Sequence, residues 1–209
     1  SWTLTDIDFT DGPYLDENIT TTTLYASANT GSVTITASAS LFASTDVGRL
    51  IRFREIVEAE HDAWVASTSY AQNDLVRFNG NVYKKTDSGT DTSGATPPVH
   101  TSGSKAYGDI TWEFQHNGSG YVKITGYTSA TEVTATFKNS AGVLPASVVG
   151  SGNPTTLWSL GSFSATTGFP RAVAFYEERL YFASTTDQPQ TIFGSVSADF
   201  ENHTPGTNA

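Results

Sequence analysis

The sequence of 209 residues predicts an all-β fold, because three observations agree. Apolar residues alternate with Thr and Ser, as in residues 32–38 (SVTITAS), and a period of two is typical of a half-buried strand. Helix signals are nearly missing, and only residues 44–50 predict a single helical turn, because a Ser/Thr/Asp cluster precedes a short apolar stretch there. The dipeptide Asn79-Gly80 is a strong signal for a tight hairpin.

Strands are predicted where β-branched and aromatic residues lie between turn residues. Asn79, Gly80 and Asn81 separate two such runs and predict a hairpin. Residues 121–137 (YVKITGYTSATEVTATF) alternate on both sides of a turn, and residues 171–184 (RAVAFYEERLYFAS) do so around two glutamates. The predicted strands cover residues 50–57, 74–78, 82–86, 110–114, 121–125, 132–137, 157–162, 172–176, 179–183 and 191–196.

Two separated stretches predict one β-domain that is interrupted by an insert. Residues 47–59 (VGRLIRFREIVEA) and residues 121–137 match as neighbouring strands. The block between them, residues 64–114, contains Trp, Tyr, Gly and Pro at intervals and has its own strand signals. The expected division is a discontinuous host β-domain of the small sandwich or barrel type over residues 1–60 and 115–156, an inserted small β-domain over residues 61–114, and a β-hairpin segment over residues 157–209 that begins a further, propeller-like domain.

Composition and charge exclude several classes of function. The chain has 21 acidic against 11 basic residues and a formal net charge of −10, and no Lys/Arg cluster offers a basic face to duplex nucleic acid or an anionic membrane. No apolar run approaches the roughly 20 residues of a membrane helix. The absence of cysteine excludes disulfides, thiolate chemistry and cysteine-type zinc sites. Because methionine is also missing, even at position 1, we expect a piece of a longer protein.

The insert carries aromatic residues in a recognisable order. They are Trp64, Tyr70, then Asp74-Leu75-Val76, Asn79-Gly80, Tyr83 and finally Trp112. This pattern resembles the small carbohydrate-binding modules that are appended to chitinases and cellulases. The resemblance implies that Trp64, Tyr70, Tyr83 and Trp112 bind a glycan, since exposed aromatic rings stack on sugar faces.

A core role for the same rings is the alternative, and it is favoured. The resembled modules often carry an aromatic pair directly after the second-strand tyrosine, whereas this chain has Lys84-Lys85-Thr86 there. A folded domain of about 50 residues is hardly stable without large buried aromatic residues. We therefore expect the rings to form the core of the insert rather than a glycan-binding surface.

A second resemblance covers more of the chain and frames the insert on both sides. It rests on DGPYLDENIT near the start, on residues 31–53 before the insert, on VKITGYTSATEVTATF after it, and above all on FPRAVAFYEERLYFAS followed by Pro189-Gln190 and SVSADF. These segments resemble the middle of large tail proteins of tailed bacteriophages and prophages, closest to the tubular or nozzle-type components of short-tailed phages.

This second resemblance implies a structural virion protein rather than an enzyme. Its β-domains would form a ring around the DNA channel, its partners would be other copies of itself and neighbouring tail proteins, and it would be located in the phage tail after assembly in the bacterial cytoplasm. An acidic lining suits DNA that must pass without sticking. The alternative function is a glycan-binding module of an adhesin or of a polysaccharide-degrading enzyme.

Catalytic patterns are weak throughout the sequence. His61, His100, His116 and His203 lie in polar, loop-like contexts with no carboxylate partner at ligand spacing, which favours solvated loop histidines. Nucleophile elbows, phosphate loops and dinucleotide fingerprints are missing. Glu177-Glu178 is interpreted as a solvated turn, because adjacent residues on a strand face away from each other. No catalytic residue, cofactor or enzyme activity is expected.

One weak metal pattern remains, in the segment DIDFTDG. Asp6, Asp8 and Asp11 precede Gly12, and oxygen ligands at alternate positions can hold calcium. The spacing is not that of an EF-hand loop, and a solvated strand edge would give the same alternation.

Overall fold

The structure is a computed structural model that describes residues 8–138 and 143–204, and its fold is all-β as the sequence predicts. Helix is confined in the described residues to one α-helical turn, α1 (Val57–Glu60), and two short 3₁₀ helices, Ser44–Asp46 and Ala146–Val148. The first 3₁₀ helix falls inside the predicted helical turn. The strands are β1 (Leu24–Ala26), β2 (Ser32–Ala37), β3 (Leu50–Arg54), β4 (Ser69–Ala71), β5 (Leu75–Phe78), β6 (Asn81–Lys85), β7 (Thr90–Thr92), β8 (Ser104–Tyr107), β9 (Ile110–His116), β10 (Ser119–Ser129), β11 (Glu132–Phe137), β12 (Trp158–Leu160), β13 (Ala172–Tyr176), β14 (Arg179–Ala183) and β15 (Ile192–Gly194).

The largest sheet has six strands in the order β1-β2-β11-β10-β3-β12, and every neighbouring pair is antiparallel. Strand β2 shows why the pattern works: Val33 and Ile35 point into the core, while Thr34 and Thr36 lie on the other face. The core of this host sheet is continuous and consists of Leu24, Ala26, Val33, Ile35, Ala37, Phe42, Ile51, Phe53, Val122, Ile124, Val133, Ala135, Leu144, Val148, Trp158 and Leu160.

The strands that flank the insert are neighbours in the host sheet. Strand β3 precedes the insert and β10 follows it, and their register pairs Arg54 with Ser119. The ladder ends one step later, where the Glu55 N–H donates to the Gly118 carbonyl at 2.9 Å. The predicted strand over 50–57 therefore stops at Arg54, because Val57 begins α1.

The insert forms two sheets of its own, a four-stranded one in the order β5-β6-β9-β8 and the pair β4-β7. Its tight turn has Asn79 and Gly80 at φ values of +49° and +75°, the left-handed conformation that an Asn-Gly hairpin turn needs. Its separate core consists of Tyr70, Val76, Tyr83, Ile110, Trp112 and Phe114, with Trp64, Phe78 and Tyr107 packed against it.

The third sheet has the order β13-β14-β15 and lies after residue 171. The sequence places the start of this unit at Leu157, but β12 pairs with β3 and belongs to the host sheet. The reason is burial: Trp158 and Leu160 fill the host core beside the side chains of β3. The unit that holds the hairpin therefore begins after β12.

Candidate functional site

The aromatic rings that predict a glycan site lie mostly in the core of the insert. Tyr83 and Trp112 have exposed fractions of 0% and 1%, and Tyr70 is also buried. Tyr70 and Trp112 make an edge-to-face contact at 5.3 Å between ring centroids. The Tyr83 hydroxyl donates to the His100 carbonyl at 2.9 Å. A ring with no free face cannot stack on a sugar, so these positions act as core residues here.

Trp64 is the most accessible of the four predicted glycan-binding residues. Its ring is partly buried and contacts Phe78 edge to face at 6.2 Å between centroids. The four rings therefore do not form one open platform. Position 85, where the resembled modules carry an aromatic residue, holds a fully buried lysine.

A buried cluster that the sequence does not reveal lies where the insert joins the host sheet. Glu55 follows β3, His61 follows α1, and His116 ends β9. Glu55 Oε1 lies 2.9 Å from His61 Nε2 and 3.5 Å from His116 Nδ1. Ser147 Oγ donates to Glu55 Oε2 at 2.7 Å. The single turn of α1 brings His61 back over Glu55, since the His61 N–H donates to the Val57 carbonyl.

The electrostatics of this cluster follow from burial and from its hydrogen bonds. Burial raises the pKa of Glu55, but the hydrogen bonds from His61 and Ser147 and the nearby imidazole of His116 outweigh it, so the pKa lies below its usual value. Burial lowers the pKa of His116 to about 4, although the Glu55 charge opposes that shift. At neutral pH the junction therefore holds a carboxylate beside a neutral His116 imidazole.

The expectation of solvated loop histidines is wrong at three of the four positions, His61, His116 and His203. His116 and His203 are buried, and His116 together with His61 lies beside the carboxylate of Glu55. His203 packs against the rings of Phe9 and Phe182 at 5.5 and 5.6 Å. The sequence gives no signal for these contacts, because His116 and His203 meet partners that are distant along the chain, and His61 reaches Glu55 only through the turn of α1.

His100 lies in the insert and is half-buried. Its ring stacks on Tyr107 at 5.6 Å, its Nδ1 lies 3.2 Å from the Tyr107 hydroxyl, and its Nε2 lies 3.1 Å from the Gly103 carbonyl. These contacts fix the loop before β8. No ion pair is recorded for His100 among the described residues.

The two described aspartates of the calcium pattern, Asp8 and Asp11, form hydrogen bonds with other groups of the protein. Asp6 lies outside the described residues. Asp8 accepts from Lys123 at 2.8 Å and also from Lys138, and these two ammonium groups lower the pKa of Asp8. Asp11 accepts from the hydroxyls of Tyr14 and Thr204, both at 2.6 Å. Asp8 and Asp11 therefore use their oxygens on separate partners, and neither belongs to a group of three close ligands among the described residues.

The third sheet leaves an apolar strand open. Residues on β13 that pair with buried residues of β14 share their face: Val173 is opposite Phe182, and Phe175 is opposite Leu180. Phe9 and Phe163 cover the β14 and β15 part of that face. On β13 the ring of Phe200 contacts Phe175 edge to face at 5.3 Å, and within the described residues Val173 and Phe175 remain 64% and 69% exposed.

The opposite face of the same sheet is also apolar. Tyr176 and Ile192 are 64% and 71% exposed there, and alanines fill the positions between them. A strand that is apolar on both faces is typical of a sheet covered on both sides. The sheet therefore offers candidate contact surfaces on both faces, Val173 and Phe175 on one and Tyr176 and Ile192 on the other, and these four residues are together called the open β13 surface.

Comparison with known proteins adds no further assignment. No family model matches the chain, and no curated protein matches it. The helices of the described residues are all too short to cross a bilayer. The functional proposal therefore rests on the geometry of the sheets and on the sequence resemblances given above.

Proposed function

We propose that the protein is a non-enzymatic structural component of a phage or prophage tail, of the tubular or nozzle type, and that it works by assembly with copies of itself and with neighbouring tail proteins. The observation that carries the proposal is the open β13 surface. Burial of about 25 cal/mol per Å² of apolar surface makes such a strand a strong site for association. The insert acts as a decoration on the outside of the assembly.

The architecture of the host sheet supports this proposal. A ring component needs a rigid β-scaffold whose exterior can carry an extra domain, and the insert leaves the host sheet and rejoins it between adjacent strands. A closed ring needs two different surfaces that meet in neighbouring copies. The open β13 surface offers one of them.

The charge of the chain supports a location beside DNA. A net charge of −10 repels a passing polyanion, so DNA can move through a channel formed by such subunits without being retained. Binding along the phosphate backbone would need the opposite charge.

Sedimentation velocity over a range of concentrations tests the proposal. The chain is expected to form larger species as its concentration rises, and electron micrographs of them are expected to show closed rings. The triple variant Val173→Thr, Phe175→Thr and Ile192→Thr keeps β-propensity but removes apolar contact, and it is expected to remain monomeric.

A matched control uses exposed apolar residues on the insert. Val65 and Val99 are 53% and 55% exposed, so Val65→Thr with Val99→Thr changes exposed apolar residues at a different place. This control is expected to assemble like the original chain. A chain that stays monomeric at all concentrations, or a control that loses assembly as fully as the triple variant, would contradict the proposal.

Retention on chitin or cellulose distinguishes the glycan-binding alternative. That function would depend on Trp64, the most accessible of the four rings. Substitution of Trp112 is not a clean test, because Trp112 is buried and its loss would disturb the fold. Strong retention that Trp64→Ala abolishes would favour a glycan-binding module over a tail component.

A further inference from the structure

We propose that Glu55, His61 and His116 form a binding site for a divalent transition metal, with Zn²⁺ as the ion that fits the donors best. One oxygen of Glu55 and one nitrogen of each histidine all lie within 4.8 Å of one another. The site is independent of the assembly surface, because it lies at the junction of the host sheet and the insert.

The distances are close to those of a metal site. Zn²⁺ bonds of about 2.0–2.2 Å place tetrahedral ligand atoms roughly 3.3–3.6 Å apart. Glu55 Oε1 lies 3.5 Å from His116 Nδ1 and 2.9 Å from His61 Nε2. The ligand atoms of the three residues lie within 4.8 Å of one another, so side-chain rotations would have to bring them to tetrahedral spacing.

The contact between Glu55 and His116 brings two electron-pair donors together. The backbone N–H of Gly118 donates to His116 Nδ1 at 3.2 Å, so this nitrogen presents a lone pair. The same nitrogen faces a carboxylate oxygen, and two acceptors at this separation repel each other unless a proton or a metal ion lies between them. A metal ion would take over the lone pair from the long Gly118 hydrogen bond.

The three donor groups are shielded from water. The side chains of Glu55, His61 and His116 are 2%, 9% and 5% exposed. Neutral imidazole is the form that ligates metals, and a buried carboxylate gains from a cationic partner.

The donor set selects the class of ion. Two imidazoles and one carboxylate suit Zn²⁺ and related first-row ions, whereas Ca²⁺ and Mg²⁺ prefer oxygen ligands alone. Ser147 donates to the second oxygen of Glu55 at 2.7 Å. Such an outer partner orients a ligating carboxylate and is typical of metal sites.

A metal at this position would connect the two parts of the chain. Glu55 directly follows β3 of the host. His61 and His116 lie at the two ends of the insert, whose last strand β9 extends to His116, beyond the predicted limit at residue 114. The ion would therefore fix both ends of the insert to the host sheet and would set the orientation of the insert.

Isothermal titration with ZnCl₂ tests the proposal on the full chain. One Zn²⁺ per chain is expected, with a rise in melting temperature that EDTA reverses. His61→Gln and His116→Asn each keep a polar group in place, and each is expected to weaken binding by at least the roughly 10- to 100-fold that loss of an outer partner causes. Ser147→Ala keeps all three ligands and is expected to weaken binding by about 10-fold.

His100→Gln is the matched control, because His100 lies in the insert and outside the cluster. It is expected to bind Zn²⁺ like the original chain. The visible spectrum with Co²⁺ is expected to show the intense bands of tetrahedral coordination. No binding by the original chain, or undiminished binding by both ligand variants, would overturn the proposal. If a ligand variant fails to fold by circular dichroism, unchanged affinity of Ser147→Ala would overturn it.

Discussion

Lys85 shows at the scale of one residue how the insert accommodates a charge inside a sheet. The side chain is fully buried, and its ammonium group donates to the Asp87 carbonyl at 2.9 Å and the Gly89 carbonyl at 3.2 Å. It also lies 2.7 Å from the Asp91 carboxylate. The lysine therefore holds the loop between β6 and β7, where the resembled modules have an aromatic ring.

Replacing Lys85 is expected to destabilise the chain. Lys85→Met keeps the apolar stem but leaves two carbonyl groups without their donor, which costs about 1–3 kcal/mol in the free energy of unfolding. Urea denaturation measures the loss. Lys84→Met is the control, because the Lys84 ammonium lies 3.8 Å from Glu113 in an exposed pair and its loss is expected to cost under about 0.5 kcal/mol. Equal losses in both variants would contradict the structural role of Lys85.

His203 is expected to make stability depend on pH. Burial lowers the pKa of His203 below its ordinary value, although nearby backbone groups and Asp199 oppose the shift. The unfolded chain therefore binds a proton more readily, and this contribution to stability is present above about pH 6.5 and is lost as the pH falls towards the lowered pKa. Urea denaturation at pH 7.5 and 5.5 measures it, and His203→Phe is expected to show a smaller loss. An unchanged pH dependence in that variant would contradict the assignment.

Individual residues show why the buried cluster could not be predicted. Alternation identifies which side chains of a strand face inward, and it succeeds for Val33 and Ile35. It cannot show that Glu55, His61 and His116 meet, because their contact depends on the turn of α1 and on the pairing of β6 with β9. The aromatic pattern of the insert was visible, and burial then assigned Tyr83 and Trp112 to the core.

The hairpin of β13 and β14 has a strained turn, because neither of its two central residues is Gly or Asn. Glu177 and Glu178 have φ values of +47° and +59°, a conformation that costs an ordinary L-residue about 1–2 kcal/mol. Asn-Gly is the pair that this turn prefers. The variant Glu177→Asn with Glu178→Gly is therefore expected to stabilise the chain by about 1 kcal/mol or more.

Thermal denaturation measures this gain as a higher melting temperature. The comparison is with the insert hairpin, where Asn79 and Gly80 already occupy the same conformation. Gly80→Ala is expected to lower stability by about 1 kcal/mol, although nothing in the structure would touch the added methyl group. A stabilising effect of Gly80→Ala, or a destabilising effect of the Asn-Gly variant, would contradict the assigned turn type.

Elements with apolar alternation could be predicted, and short polar ones could not. The predicted strands 132–137, 172–176 and 179–183 agree with β11, β13 and β14 to the residue. Strands β4, β7 and β8 lie outside the predicted strands, because Ser69–Ala71, Thr90–Thr92 and Ser104–Tyr107 are short and carry few apolar residues. The conformation of β7 and β8 is set by hydrogen bonds to β4 and β9, respectively. The order of side chains along a strand does not show which strand it pairs with.

At the scale of the whole molecule, removal of the insert is expected to leave the host sheet intact. Replacing residues 56–117 by Asn-Gly would join Glu55 to Gly118 through a two-residue hairpin, and these residues already share a backbone hydrogen bond of 2.9 Å. The shortened chain is expected to keep a cooperative thermal transition and the near-ultraviolet signal of Trp158, which lies in the host core.

A shortened chain without a cooperative transition would show that the host depends on the insert for its stability. A fair comparison is the same deletion closed by a flexible linker of several glycines, which is expected to fold with a lower melting temperature. The difference follows from the larger entropy of closing a flexible loop.

The neighbouring positions of the two host stretches around the insert could be predicted from matching strand patterns. The limits of the last unit could not, because β12 has the same apolar character as the hairpin that follows it. Only the packing of Trp158 and Leu160 on the host core shows which sheet the strand joins. A strand's composition indicates burial, whereas its partner is decided by the rest of the chain.

The insert leaves the host domain after Glu55 and rejoins it at Gly118, and one backbone hydrogen bond joins these two residues. A domain held in this way can be exchanged for one of another size without altering the order of the strands beneath it. Natural variants of this chain are therefore expected to differ most at this position, and such exchange would change what the exterior presents while the scaffold is conserved.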